Sequence, residues 1–296
     1  MKRPSTILVK DNIDTIAIGS FDGIHLGHMR LIDRLGDNGA LFVIDKDHAN
    51  LTPGIKRSEY SKYPCMYYHF LKVKDLTGEE FISLLKKEFV NLKKIVVGYD
   101  FQFGKKRSCN AEDLKTLFDG EVEVVDEFLY NGVSVHSSVI RELLKSKEVD
   151  QANKLFGREY SICGKVIKGQ GLGKEELYPT INITVKEYLF PREGVYASRT
   201  RIGSKIYNSV TFIGTRVSTD GNFSIETHVL DKNIDVLDEV EIFFVHFLRE
   251  NKKFNNLKDL KEQISQDIDN AKCMLKVCKF YNYELDICKR EGCLNG

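Results

Sequence analysis

The hydrophobic pattern changes period near residue 158, and that change constrains the fold more than any single motif does. Before it, short β-rich runs such as TIAI and ALFVID alternate with segments patterned for helices. His28 to Leu35 is predicted as the first helix. TGEEFISLLKKEF sets Phe81, Leu84, Leu85 and Phe89 on one helical face, with Thr77 and Glu80 as a capping box at its start. KKIVVG and EVEVVDEF are predicted strands, and AEDLKTLF a short helix between them. Strands alternating with helices imply a parallel sheet covered on both faces. Such sheets bind ligands beyond the carboxyl ends of their strands.

After residue 158 the pattern is almost all strand. YSICGKVIK, TINITV, GVYASRTRI, KIYNSVTFI, SIETHVLD and EVEIFFVHFL are separated by turns, with Gly203-Ser204 as a two-residue hairpin. A small antiparallel barrel is expected, closed by a helix whose stripe is Leu257, Leu260, Ile264, Ile268, Ala271 and Leu275. RELLKSKEVDQANKLFGREY bridges the halves as helix, stopped at Gly157. A chain of 296 residues suits two cores better than one. The expected domains are residues 1–156 and 157–280, with 281–296 as a tail of unassigned role.

Composition narrows the class. A hydrophobic content of 42% and a charged content of 29% are those of a globular protein. The net charge of +1 removes the electrostatic case for a general nucleic-acid binder. No apolar run approaches the ~20 residues of a membrane span. The opening MKRPSTILVKDN falls short of the ~7 to 15 apolar residues of a secretory signal. A cytoplasmic protein is expected, with its seven cysteines as free thiols. The last four form two C-x4-C pairs, whereas zinc sites favour tighter CxxC knuckles.

GSFDGIHLGHMRLIDRL, residues 19–35, asks for more than a turn. Its glycines let a backbone approach a ligand closely. The helix start that follows offers unpaired N–H groups and a positive dipole end. His25 and His28 would add two donors toward the same anion, a combination suited to a phosphate gaining charge in a transition state. H-x-x-H could also be half of a metal site, although no third ligand is recognisable by spacing. KGQGLGKEELYPTINI, 168–183, is glycine-rich but matches neither the P-loop nor the dinucleotide fingerprint, because Glu175 follows Gly173-Lys174 and no helix pattern follows. On composition alone it is a hairpin loop.

G-x-F-D-G-x-H-x-G-H resembles the nucleotidyltransferase signature in the form found in bacterial bifunctional riboflavin kinase/FMN adenylyltransferases, the FAD synthetases. GYDFQFGKKRSCNAEDL, 98–114, resembles the G-x-D-F-x-F-G segment of that family, and SSVIRE, 137–142, its S-S-T-x-x-R segment. GKEELYPTIN resembles the G-R-x-L-G-F-P-T-A-N of riboflavin kinases. FLRENKKF, 247–254, resembles their flavin-side segment. The likeness runs colinearly over about residues 12–275.

The resemblance implies an α/β nucleotidyltransferase-like domain with a Rossmann-like parallel sheet, followed by a riboflavin kinase-like antiparallel barrel with a closing helix. It implies two ATP-dependent steps: riboflavin to FMN in the barrel, then FMN to FAD with release of pyrophosphate in the α/β domain. It implies His25, His28 and Arg141 as catalytic groups for the second step and Glu226, in SIETHVLD, as general base for the first. ATP and its phosphates would meet Gly19, Ser20, Phe21, Asp22, Gly23, Gly27, Ser137 and Ser138 in the first half. In the second they would meet Gly169, Gly171, Gly173 and Lys174. Asp100, Phe101, Phe103 and Arg249 are implied on the flavin. Thr180 and Asn182 are implied on Mg²⁺, a hard ion that keeps several waters and uses few protein ligands.

Departures fall on flavin handling more than on ATP handling. Ser20 stands for a common asparagine, DHA keeps only His48 of a proline-histidine-proline, and Val139 stands for an arginine. Gln102, Cys109, Asn110, Leu177, Ile181, Phe212 and Val217 also differ from the commoner residues. Two other classes stay open. One is a monofunctional enzyme whose other half is a flavin-binding or structural module. The other is a metal-dependent regulator using H-x-x-H and the cysteine tail.

Overall fold

A computed structural model describes residues 8–278, except 48–49, 170–176, 219, 233, 235 and 237. The chain parts into two compact units between Val139 and Ile140, earlier than the expected 156/157 boundary.

In the first unit, β1 (Thr15–Gly19), β2 (Gly39–Asp45), β3 (Cys65–His69), β4 (Lys94–Gly98) and β5 (Glu121–Val125) form one sheet in the order β3-β2-β1-β4-β5. Every pairing is parallel, with Thr15 opposite both Gly39 and Lys94. The central strand β1 is buried through Thr15, Ile16, Ala17 and Ile18, which is why it reads as a continuous apolar run. Helices α1 (Leu26–Ile32), α2 (Lys56–Ser61), α3 (Gly78–Glu88) and α4 (Ala111–Leu117) are the crossovers. Ile16, Ile18, Phe42, Ile95 and Val97 form a core with Phe81, Leu85 and Phe89 of the α3 side and Leu114 and Phe118 of the α4 side.

The capping box of α3 is present, with both the Thr77 and Glu80 side chains engaged. Helix α1 begins at Leu26, earlier than the predicted His28, because His25 serves as its N-cap. Strand order reverses between β1 and β4. Their carboxyl ends therefore flank the crevice where a parallel sheet receives ligands. The turn after β1 and Tyr99–Asp100 after β4 both lie at that edge.

Helix α5 (Ser137–Lys145) spans the boundary, and α6 (Val149–Phe156) ends at Gly157, whose φ of 71° makes the expected stop. The second unit is a closed barrel of β6 (Tyr160–Ile167), β7 (Ile181–Thr184), β8 (Gly194–Ile202), β9 (Lys205–Thr215), β10 (Phe223–Val229) and β11 (Glu239–Arg249). Spatial order is β6-β7-β10-β9-β8-β11, and every pairing is antiparallel. The hairpin at Gly203-Ser204 closes Ile202 onto Lys205. Helix α7 (Leu257–Val277), capped by Asn256, buries Ile268, Ala271 and Leu275 against Val195, Ala197, Val210 and Val245. Its Leu257 is exposed, so the stripe begins to bury only further along the helix.

Asn153 explains the early boundary. Its side-chain amide donates to Phe244 O at 2.8 Å and its Oδ1 accepts from Tyr160 N at 2.7 Å. α6 is therefore bonded into the barrel.

Candidate functional site

The turn after β1 is strained and tightly held. Phe21, Gly23 and Ile24 have φ of 49°, 99° and 39°, a backbone that non-glycine residues keep only when their surroundings impose it. The surroundings are visible. Asp22, 3% exposed, accepts from Leu51 N and Thr52 N, each at 3.0 Å. Thr52 Oγ1 in turn accepts from Gly23 N at 2.8 Å. Asp22 thus clips the turn to the segment after β2 through its carboxylate. Phe21 is wholly buried, while Ser20 is exposed. The ring of Phe21 packs 3.3 Å from where a Cβ on Gly19 would stand.

His25 is buried, and its Nδ1 accepts from His28 N at 3.2 Å. That bond makes Nδ1 the acceptor, so the neutral ring carries its proton on Nε2. The His25 and His28 rings stack with centroids 3.6 Å apart. Gly27 leaves room for this pair: a Cβ there would meet Val135 O at 2.9 Å and His25 Nδ1 at 3.2 Å. The third motif reaches the same turn, because Ser137 Oγ donates to Asp22 O at 2.6 Å. Ser138 is exposed, and Arg141 follows Ser137 by one turn on α5.

The three residues expected on the flavin in the first unit separate by burial. Phe103 is 6% exposed and packs on Phe81 with centroids 5.4 Å apart, so it anchors the core. Phe101 is half-buried and stacks on Phe103 at 5.5 Å, and Asp100 is exposed beyond β4.

The second unit holds a cavity of about 650 Å³. Its apolar wall includes Ile167, Val195, Val210, Phe212 and Ile268, and its polar groups include Lys168, Thr180, Asn182, Arg216, Glu226, His228 and Arg249. A mostly apolar cleft with a few convergent polar groups is the usual form of a small-molecule site. β-sheet register brings the polar groups together. Asn182 on β7 lies opposite Glu226 on β10, which lies opposite Phe212 on β9. Asn182 Nδ2 donates to Thr180 Oγ1 at 3.3 Å. His228, two residues beyond Glu226 on the same strand, bonds Pro179 O through Nδ1 at 2.8 Å and so fixes the segment carrying Thr180.

Gly169 sits so close that a Cβ would meet Asn182 Nδ2 at 2.4 Å. Arg249 lines the cavity with its guanidinium already bonded, Nε to Asp267 Oδ1 and Nη2 to Asp267 Oδ2, both 2.8 Å. Gly171, Gly173 and Lys174 lie outside the described residues, as do His48, Cys288 and Cys293.

Arg216, His228, Asn251, Phe254 and Asp267 are cavity residues that motif reading did not single out. Arg216 stands inside FIGTRV and His228 inside E-x-H. Their neighbours carried the motif, and only the register shows that they share a wall.

The sequence matches the riboflavin kinase family over residues 156–275 and the FAD synthetase family over residues 63–139. A bifunctional riboflavin kinase/FMN adenylyltransferase of Buchnera aphidicola subsp. Schizaphis graminum is 30% identical over 288 residues, covering 87% of this chain and 92% of that protein. The protein of the same description from Listeria monocytogenes is 31% identical over 283 residues, covering 85% and 89%. A solved structure described as a macrolide-efflux protein from Streptococcus pneumoniae superposes with a TM-score of 0.79 at 26% identity, covering 90% of this chain and 99% of that one. Among the described residues no helix is long and apolar enough to cross a membrane. With a riboflavin kinase domain and a FAD synthetase domain in one colinear chain, the protein is a transferase that belongs to the bifunctional riboflavin kinase/FMN adenylyltransferase family.

Proposed function

We propose that the barrel cavity phosphorylates riboflavin to FMN with ATP, and that the α/β unit then adenylates FMN to FAD with release of pyrophosphate. The observation that carries the first step is the register pair Asn182 and Glu226 on a cavity wall, beside Thr180. In that step the ribityl 5′-hydroxyl oxygen bonds to the γ-phosphorus, its proton passes to the Glu226 carboxylate, and the bond to ADP breaks. Thr180 Oγ1 and Asn182 Oδ1 are an all-oxygen, hard donor set, and the 3.3 Å bond between the two side chains keeps them together. They would hold Mg²⁺, which would supply charge neutralisation on the ATP phosphates. Gly169, with Gly171, Gly173 and Lys174, would border those phosphates. Arg249, braced by Asp267, would face the flavin.

In the second step a phosphate oxygen of FMN bonds to the α-phosphorus of ATP and pyrophosphate leaves. That phosphate is ionised at neutral pH, so no protein base is required. Positioning and charge stabilisation carry the reaction. His25, with its proton on Nε2, His28 and Arg141 would meet the developing charge, and Gly19 to Gly23, Gly27, Ser137 and Ser138 would shape the phosphate turn. Asp100 and Phe101 would meet the flavin at the carboxyl end of β4, with Phe103 beneath them. The reading divides the chain into an adenylating unit and a kinase unit. None of the five cysteines among the described residues is in a disulfide, which fits a cytoplasmic enzyme.

Incubation with riboflavin, ATP and Mg²⁺, followed by flavin separation, tests both steps. FMN and then FAD should form. FMN without FAD would remove the adenylation step, and FAD only from supplied FMN would remove the kinase step. Glu226→Gln should lose phosphorylation and keep adenylation, and His28→Ala should do the reverse. A folded variant lacking both activities would contradict the two-site reading.

A further inference from the structure

Proton transfer to Glu226 requires one carboxylate oxygen to be aimed at the hydroxyl. A glutamate side chain has several rotatable bonds and does not keep such an aim unaided. In this structure Arg216 Nη1 donates to Glu226 Oε1 at 3.2 Å. The other edge of the same guanidinium is clamped, with Nε donating to Asp220 Oδ1 at 3.0 Å and Nη2 to Asp220 Oδ2 at 2.7 Å. Asp220 is itself fixed, accepting from Asn222 N at 3.1 Å and from Asn222 Nδ2 at 2.8 Å. The backbone closes around them. Arg216 N donates to Asn222 O at 2.9 Å, and Gly221 N to Arg216 O at 3.1 Å.

We propose that Arg216, clamped by Asp220, is a positioning residue for Glu226. It fixes Oε1 and leaves Oε2 to take the proton of the riboflavin hydroxyl, and this rests on Glu226 being the base of the kinase step. The planar fork of arginine suits the task, because its donors point in fixed directions. Arg216 and Glu226 both line the cavity, and Asp220 braces the arginine from the hairpin turn. Two carboxylates share the one guanidinium, so the trio is net anionic. That sets Arg216 apart from a free cation ready to bind a triphosphate. Desolvation raises the proton affinity of Asp220, but the Asn222 N–H and the Arg216 charge outweigh it and hold the carboxyl below its usual range. The clamp therefore stays ionised across neutral pH.

The test is a double-mutant cycle on riboflavin phosphorylation by the full-length protein, with far-UV circular dichroism and thermal melting of each variant as the check of folding. Arg216→Gln should lower kcat by about 10- to 100-fold, the scale of a misplaced reacting group, with KM for ATP little changed. Asp220→Asn, which keeps the arginine and loosens its clamp, should lower kcat less. Arg216→Lys should restore part of the rate. Arg216→Gln/Glu226→Gln should be no slower than Glu226→Gln alone. If Arg216→Gln slows Glu226→Gln further by its full factor, or raises KM for ATP at constant kcat, Arg216 acts on the phosphates and the proposal falls. If Glu226→Gln retains wild-type kcat, the assignment of the base itself fails, and the positioning role fails with it.

Discussion

Gly169 shows how little space separates the groups of the barrel site. A methyl group there would stand 2.4 Å from Asn182 Nδ2, closer than any real carbon contact. Gly169→Ala should therefore displace Asn182. The expected result is a fall in kcat for riboflavin phosphorylation of about 10²-fold, with FMN adenylation unchanged in the same preparation. Asp22 makes the opposite case, since a residue read as phosphate-facing has its carboxylate bonded to two buried amides. Asp22→Ala leaves those N–H groups without that acceptor, at a cost of about 1–3 kcal/mol each. Urea unfolding should detect it, and adenylation should fall while phosphorylation persists.

At the scale of elements, the barrel interior holds a feature no strand pattern announces. Thr200, Ser209, Ser198, Thr211 and Thr227, all wholly buried, form a closed ring of hydroxyls on β8, β9 and β10. Its five bonds measure between 2.7 and 3.0 Å. Each hydroxyl can donate once and accept once around such a ring, which strengthens every bond in it. Thr227→Val opens the ring and leaves a buried donor on Thr211, a cost of about 1–3 kcal/mol in denaturant unfolding. Thr211→Val/Thr227→Val should cost less than the sum of the single changes, because the two removed groups are each other's partners. Elements themselves were legible where period and length cooperated, as in α3, β1 and the barrel strands. They were not legible at α2 (Lys56–Ser61) or β3 (Cys65–His69). The helix has six residues, and the edge strand is half-buried except at the exposed Tyr67, with no residue fully buried and no alternation.

At the scale of the whole molecule, the proposed division of labour follows the two units, and the structural boundary lies before α6. Val149, Ala152 and Phe156 of that helix are fully buried, and Asn153 joins it to β6 and β11. A fragment starting at Ile140 should therefore be more stable than one starting at Gly157. The loss is on the order of 1.5–3 kcal/mol for each large apolar side chain exposed, and thermal melting of the two fragments compares them directly. The order of residues alone was enough for the fold class of each half, because hydrophobic period is a property of neighbouring residues along the chain. It also determined the glycine turn, the histidine pair and the Thr180-Asn182 and Glu226 segments, since those motifs are local. What each polar group touches emerged only in the folded chain: Arg216 on Glu226, Asp267 on Arg249, His228 on Pro179 and Asp22 on Leu51 and Thr52. The reason is register. Strand pairing and loop packing set residues from different segments side by side, and no spacing along the sequence records which of them will meet.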